Sequence, residues 1–142
     1  MKDILKLIQF INGLVDEVFG DYIDDIPAEY YFKNGGCLEF ASILHHYIPN
    51  SFFVLNQIDQ DHIALKVEDA VYDCEGVHDS KDYLVLTLEE VKNYQECYGR
   101  GILFEQKPVN VAVIDELNSC SGDYVKKLVQ SITKEGSYVK RS

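Results

Sequence analysis

The stretch DHIALKVEDAVYDCEG, residues 61–76, decides how this chain folds. HIALKV alternates apolar and polar positions and reads as a strand, and AVYD reads as its partner. Glu68 and Asp69 are left as a two-residue turn between them. That turn fixes a register: Val67 opposite Ala70, Ala64 opposite Asp73, His62 opposite Glu75. Side chains two apart on a strand share a face. Asp73 therefore lies diagonal to His62 on one face, within reach of an acid–imidazole contact. Cys74 points the other way and is expected in the core. A three-residue turn would break this parity.

Working outward, NGGCLEFASILHHYIP, residues 34–49, puts Cys37, Phe40, Ala41, Leu44 and Ile48 on one helical face, and Pro49 ends a helix over 37–48. Apolar residues from Ile4 to Val18 recur at helical spacing, so 3–19 is an amphipathic helix. DYIDDIPAEYYFKNGG, residues 21–36, is expected to be a loop, with Tyr30, Tyr31 and Phe32 anchoring it to the core. SFFVLNQ reads as a strand and CEGVHDSKD as a loop. Thr87 with Glu90 forms a capping box that opens a short helix over 88–95. GILFEQ reads as a strand, and NVAVIDEL fits strand and helix equally. SGDYVKKLVQSITK is helical through Tyr124, Leu128 and Ile132, with a polar tail that frays. There is no internal repeat or linker, so residues 1–142 are read as one α+β domain.

The net charge of −11 and pI near 4.6 argue against binding a nucleic-acid backbone, which needs a basic surface. They suit a well-solvated surface or a basic protein partner. Cys37, Cys74, Cys97 and Cys120 include no C-x-x-C pair, so neither a zinc knuckle nor a disulfide framework is expected. His45, His46 and His78 lack ligand spacing, and no metal or cofactor is expected. No apolar run reaches the roughly 20 residues of a membrane span. Acidic residues interrupt the apolar N-terminal stretch, which is followed by no cleavage signal, so the expected location is the cytoplasm.

Cys37 follows two glycines at a helix start. A thiolate is favoured there by the positive end of the helix, and backbone N–H groups can hold an oxyanion. A nucleophile also needs a base and an orienting group, and His62 and Asp73 follow in that order. Asn34 and Gln57 are candidates for a side-chain oxyanion or substrate contact, and Gly36 for a backbone one. Asn34 also suits a turn.

Cysteine at the start of a helix, histidine at the start of a strand and aspartate on the next strand resemble the transglutaminase-like branch of the papain-like cysteine hydrolases. GGCLEFASIL is similar to that group's nucleophile helix, and DHIALKVEDAVYDCEG to its histidine and acid strands. The likeness covers about residues 34–77. It implies a papain-like α+β fold with the nucleophile helix packed on a small antiparallel sheet, in a small bacterial or phage-type member. It implies Cys37 as nucleophile, His62 as base and acid, and Asp73 as orienter. Peptide or isopeptide hydrolysis, glutamine deamidation and acyl transfer to an amine are the outcomes such a site supports, on a protein or peptide substrate. With no tryptophan and no calcium-binding segment, the likeness is to the acyl-transfer machinery rather than to large crosslinking enzymes. The competing reading is a catalytically inactive acidic binding protein or inhibitor of a basic partner.

Overall fold

Glu68 and Asp69 form the two-residue turn, with Glu68 in the left-handed region at φ 59°. The pairs Val67–Ala70, Lys66–Val71 and Leu65–Tyr72 follow in the expected register. This is the centre of a computed structural model described for residues 2–18, 27–33, 36–58, 62–98, 103–104, 107–120 and 122–141. Its helices are α1 (Lys2–Val18), α2 (Ala28–Lys33), α3 (Cys37–Tyr47), α4 (Leu88–Tyr98), α5 (Val109–Cys120) and α6 (Gly122–Arg141). Its strands are β1 (Phe52–Asn56), β2 (Ile63–Val67), β3 (Ala70–Asp73), β4 (Gly76–Asp79), β5 (Tyr83–Val85), β6 (Leu103–Phe104) and β7 (Lys107–Pro108).

Five strands make one antiparallel sheet in the order β4-β3-β2-β1-β5, and β6 pairs with β7. The α+β class and the small antiparallel sheet are as expected. Helix α3 lies against β2 and β3. Phe53, Ile63, Leu65 and Tyr72 join Phe40, Leu44, Phe32, Leu7 and Ile11 in the main core. Val54, Ala64 and Val71 are buried in a second cluster with Tyr83 packed against it. Ile63, Ala64 and Leu65 are thus all buried, which is why this strand lacks a polar face at its start.

Several sequence expectations need correction. The stretch 21–36 is not all loop: Ala28–Lys33 is helical. Asp16 Oδ1 accepts from the Ala28 N–H at 2.6 Å and the Pro27 carbonyl accepts from Tyr31, so α1 and a proline start the helix together. Phe32 is wholly buried, whereas Tyr30 is 58 % exposed, so the aromatic anchor is chiefly Phe32.

CEGVHDSKD is not all loop either. It contains β4, and β5 follows it. Both are short and carry no fully buried residue, so the apolar run or stripe that marks a strand in sequence is missing. The helix at Thr87 has its capping box, with reciprocal bonds of 3.0 and 3.1 Å to Glu90, and runs on to Tyr98. NVAVIDEL is helical as part of α5. Helix α6 continues through the tail to Arg141, because one glycine weakens a helix without ending it. Its buried stripe is Val125, Leu128 and Ile132, with Tyr124 46 % exposed against the Phe10 ring. Of GILFEQ, only Leu103–Phe104 falls among the described residues, as strand.

Phe32→Ala should cost about 3–5 kcal/mol in chemical denaturation by emptying a core site. Tyr30→Ala should stay within about 0.5 kcal/mol. Equal effects would mean that α2 does not dock through Phe32.

Candidate active site

Cys37 is the first residue of α3 and half-buried. Its position is set by Tyr31. The Gly36 N–H donates to the Tyr31 carbonyl at 3.0 Å, and the Gly36 carbonyl accepts from Phe40 at 3.0 Å. A Cβ on Gly36 would stand 2.8 Å from Tyr31 Cε2 and 3.1 Å from the Tyr31 carbonyl oxygen, so glycine is needed for close approach. The Tyr31 hydroxyl donates to Glu39 Oε2 at 2.7 Å. Burial raises the Glu39 pKa, and that hydrogen bond offsets part of the rise. Tyr31 thereby holds both ends of the first turn of α3. The helix start carries no side-chain cap.

The β2–β3 ladder ends at Leu65–Tyr72, and the Ile63 N–H donates instead to Cys37 Sγ at 3.5 Å. His62, one residue earlier, donates from Nε2 to Asp73 Oδ2 at 2.9 Å and also hydrogen-bonds the Cys37 side chain. With Nε2 on Asp73, the ring nitrogen left for Cys37 is Nδ1. Tyr83 meets the His62 ring edge-on, centroids 6.5 Å apart.

Asp73 is 5 % exposed. A buried carboxylate costs several kcal/mol unless it is hydrogen-bonded. Besides His62, its Oδ1 accepts from His78 Nε2 at 2.8 Å and from the Glu75 N–H at 2.9 Å. Burial pushes the Asp73 pKa up, but the bonds from His62, His78 and Glu75 outweigh it and hold it below the ordinary carboxylate value. The Asp73 bond, then that of Cys37, pushes His62 up to about 10 against the opposing effect of burial.

The register explains the meeting. Asp73 lies on the middle one of three strands, opposite Gly76 on β4, and His78 lies opposite Val71. His62 and His78 therefore flank Asp73 diagonally from either side on one sheet face. The loop reading of 74–82 hid His78. Asp-Cys-Glu-Gly was the available signal, since Asp at the first and Gly at the fourth position mark a tight turn. Gly76 takes φ +125°, a value glycine tolerates best.

Among the described residues, the other candidates are not drawn into this line. The Gly36 N–H is occupied by Tyr31, so Gly36 supplies backbone geometry rather than a free donor. Gln57 is exposed past the end of β1, its backbone N–H on the Asp82 carbonyl at 2.7 Å. Asn34 lies outside the described residues. Cys74 is buried as expected, its Sγ donating to the Glu29 carbonyl, and burial pushes its thiol up to about 12, helped by Asp73, Glu75 and Glu29. His45 Nδ1 donates to Ser51 Oγ at 2.8 Å, and Ser51 donates to the Ile48 carbonyl, which closes the end of α3. Among the described residues no group of three or more His, Cys, Asp or Glu side chains could hold a metal ion. Also among them, no helix is long and apolar enough to cross a membrane.

Fold and site together define an α+β protein in which a helix-start cysteine, a strand-start histidine and a buried aspartate stand in a hydrogen-bonded row. Residues 14–114, more than half the chain, match the model of the family described as Phage YunG-like protein, and the chain belongs to that family. No curated protein and no solved structure matches the chain.

Two outcomes follow from the geometry. Gly36→Ala should destabilise by about 1–3 kcal/mol, because Tyr31 must shift to admit a Cβ; an unchanged denaturation midpoint would contradict the close approach. For pH, the folded Asp73 pKa lies below its ordinary value of about 3.9, so its contribution is present above that and fades as pH falls through the lower folded value. His62 is raised to about 10, so its contribution is full below about 6.5 and lost as pH rises towards the folded value. Urea denaturation should show wild-type stability falling more between about pH 7 and 10 than that of His62→Gln. Parallel curves would mean that His62 is not raised.

Proposed function

We propose that this protein is a cysteine hydrolase or acyltransferase acting on an amide of a protein or peptide, in a papain-like, transglutaminase-like arrangement, in the cytoplasm. The observation that carries this reading is the row Cys37–His62–Asp73, with the Ile63 N–H on the sulfur. With a pKa near 10, His62 is an imidazolium at neutral pH, and a cationic neighbour favours a thiolate.

In this mechanism Cys37 Sγ attacks the amide carbonyl carbon, and the carbonyl π electrons move to oxygen. Backbone N–H groups at the start of α3 face the developing oxyanion. Collapse expels the amine, which takes the proton from His62 Nδ1 and leaves a thioester on Cys37. Acylation removes the sulfur's negative charge and with it one cause of the high His62 pKa. His62 can then take a proton from water, giving hydrolysis or deamidation, or from an amine, giving transfer. Attack on the thioester expels Cys37 as thiolate and restores the pair. Asp73 stays ionised and keeps the Nε2–H tautomer, so that Nδ1 faces the sulfur.

The test is alkylation of the native protein with iodoacetamide at about pH 6.5, read by mass spectrometry for each cysteine. Cys37 should label at least ~10 times faster than Cys74, and His62→Ala should slow it by about ten-fold or more. Slow labelling of Cys37, or a rate indifferent to His62, would remove the basis of the proposal. Given fast labelling, glutamine and peptide amides are the substrates to screen, with Cys37→Ser as the inactive control.

A further inference from the structure

We infer that His78 is a positioning residue of this site: it fixes the Asp73 carboxylate so that one oxygen is permanently presented to His62. The inference rests on the proposed catalytic role of the Cys37–His62 pair. Asp73 Oδ1 takes two donors, His78 Nε2–H at 2.8 Å and the Glu75 N–H at 2.9 Å. Both come from the same turn and strand, since β4 starts right after the turn and pairs Val71 with His78. With Oδ1 held twice, the carboxylate cannot rotate about its Cβ–Cγ bond without breaking two bonds. Oδ2 is left aimed at His62.

An ionised carboxylate only accepts, so both imidazoles must carry a proton on Nε2. For neutral His62 that is the tautomer whose bare Nδ1 faces Cys37. His78 also has a different exposure from its partners: its side chain is 37 % exposed, against 14 % for His62 and 7 % for Asp73. Of the two imidazoles on Asp73, it is the one nearer the surface. Water could occupy Oδ1 in its place, but would leave that oxygen with the Glu75 N–H as its one protein donor. Loss of His78 should therefore loosen the row without dismantling it.

The experiment uses the full-length protein as wild type, His78→Leu, His78→Gln and His62→Ala. Three quantities are read: the alkylation rate of Cys37 by iodoacetamide, the titration midpoint of the His62 ring by NMR, and the thermal midpoint as a check of folding. His78→Leu should slow the His62-dependent alkylation by about three- to ten-fold, the effect of one typical hydrogen bond, and lower the His62 midpoint. His78→Gln, whose amide still donates, should return both to within about two-fold of wild type. A folded His78→Leu with unchanged rate and midpoint would overturn the inference, and so would a His78→Gln no better than Leu. If His78→Leu does not fold, ring nitrogen shifts in the wild type decide: a protonated His78 Nε2 beside Asp73 is required, and a bare one refutes it. If wild-type alkylation ignores His62→Ala, the catalytic reading fails by itself. The His62 midpoint in His78→Leu still judges whether His78 positions Asp73.

Discussion

The constraint on which this structure depends is the buried charge of Asp73. A carboxylate at 5 % exposure is tolerable only with its oxygens satisfied. Its partners come from different parts of the chain: His62 before β2, Glu75 in the next turn and His78 on β4. Each depends on a tight connection. The Glu68–Asp69 turn puts Asp73 diagonal to His62, and the Cys74–Glu75 turn, closed by Gly76 at φ +125°, brings His78 back. A slip of one residue in either hairpin would turn a donor to the opposite face. The carboxylate would then be buried without its partners, so the charge itself selects the register.

The same hairpin borders two cysteines in different surroundings. Cys74 follows Asp73 and faces away from it into the core, where burial and nearby carboxylates raise its thiol to about 12. It remains a small apolar residue with one hydrogen bond to a carbonyl. Cys37 meets the other face of this electrostatic arrangement. The sulfur receives the Ile63 N–H and lies beside the His62 imidazole, whose pKa Asp73 raises. The two sulfurs differ in their neighbours: the Glu29 carbonyl and nearby carboxylates at Cys74, the Ile63 N–H and His62 at Cys37.

Much of this was legible from short-range rules. The two-residue gap between HIALKV and AVYD fixed strand parity and so the His62–Asp73 diagonal, although β2 and β3 do not alternate in burial. The capping box at Thr87 was legible because both partners are local. The hidden parts all depend on tertiary neighbours. Helix α2 is six residues long, too short to stand alone, and forms because Asp16 caps it and the core takes Phe32. Strand β4 is an edge with little apolar content, and its existence shows in the sequence only through the turn Asp73–Gly76. His78 was seen as a histidine and not as a partner because the strand carrying it was missed. Gly36 was legible as a helix entry, but its actual constraint, the Tyr31 ring and carbonyl, is a packing fact.

The family match also divides the molecule by task. Residues 14–114 contain Cys37, His62, Asp73 and His78 and every strand described. Most of α1 and all of α6 lie outside it. Ile4, Leu7, Ile8 and Ile11 on α1 need apolar cover, and Val125, Leu128 and Ile132 on α6 belong to the same core. Helix α1 in turn reaches the site from behind. Asn12 Nδ2 donates to the Cys74 carbonyl at 2.9 Å, and Leu5 Cδ2 lies 3.8 Å from the position of a Cβ on Gly76. The β3–β4 turn that delivers Glu75 and His78 to Asp73 is therefore backed by a helix that α6 helps to hold. A fragment limited to the matched span would keep every residue of the row while losing part of the wall that braces the β3–β4 turn.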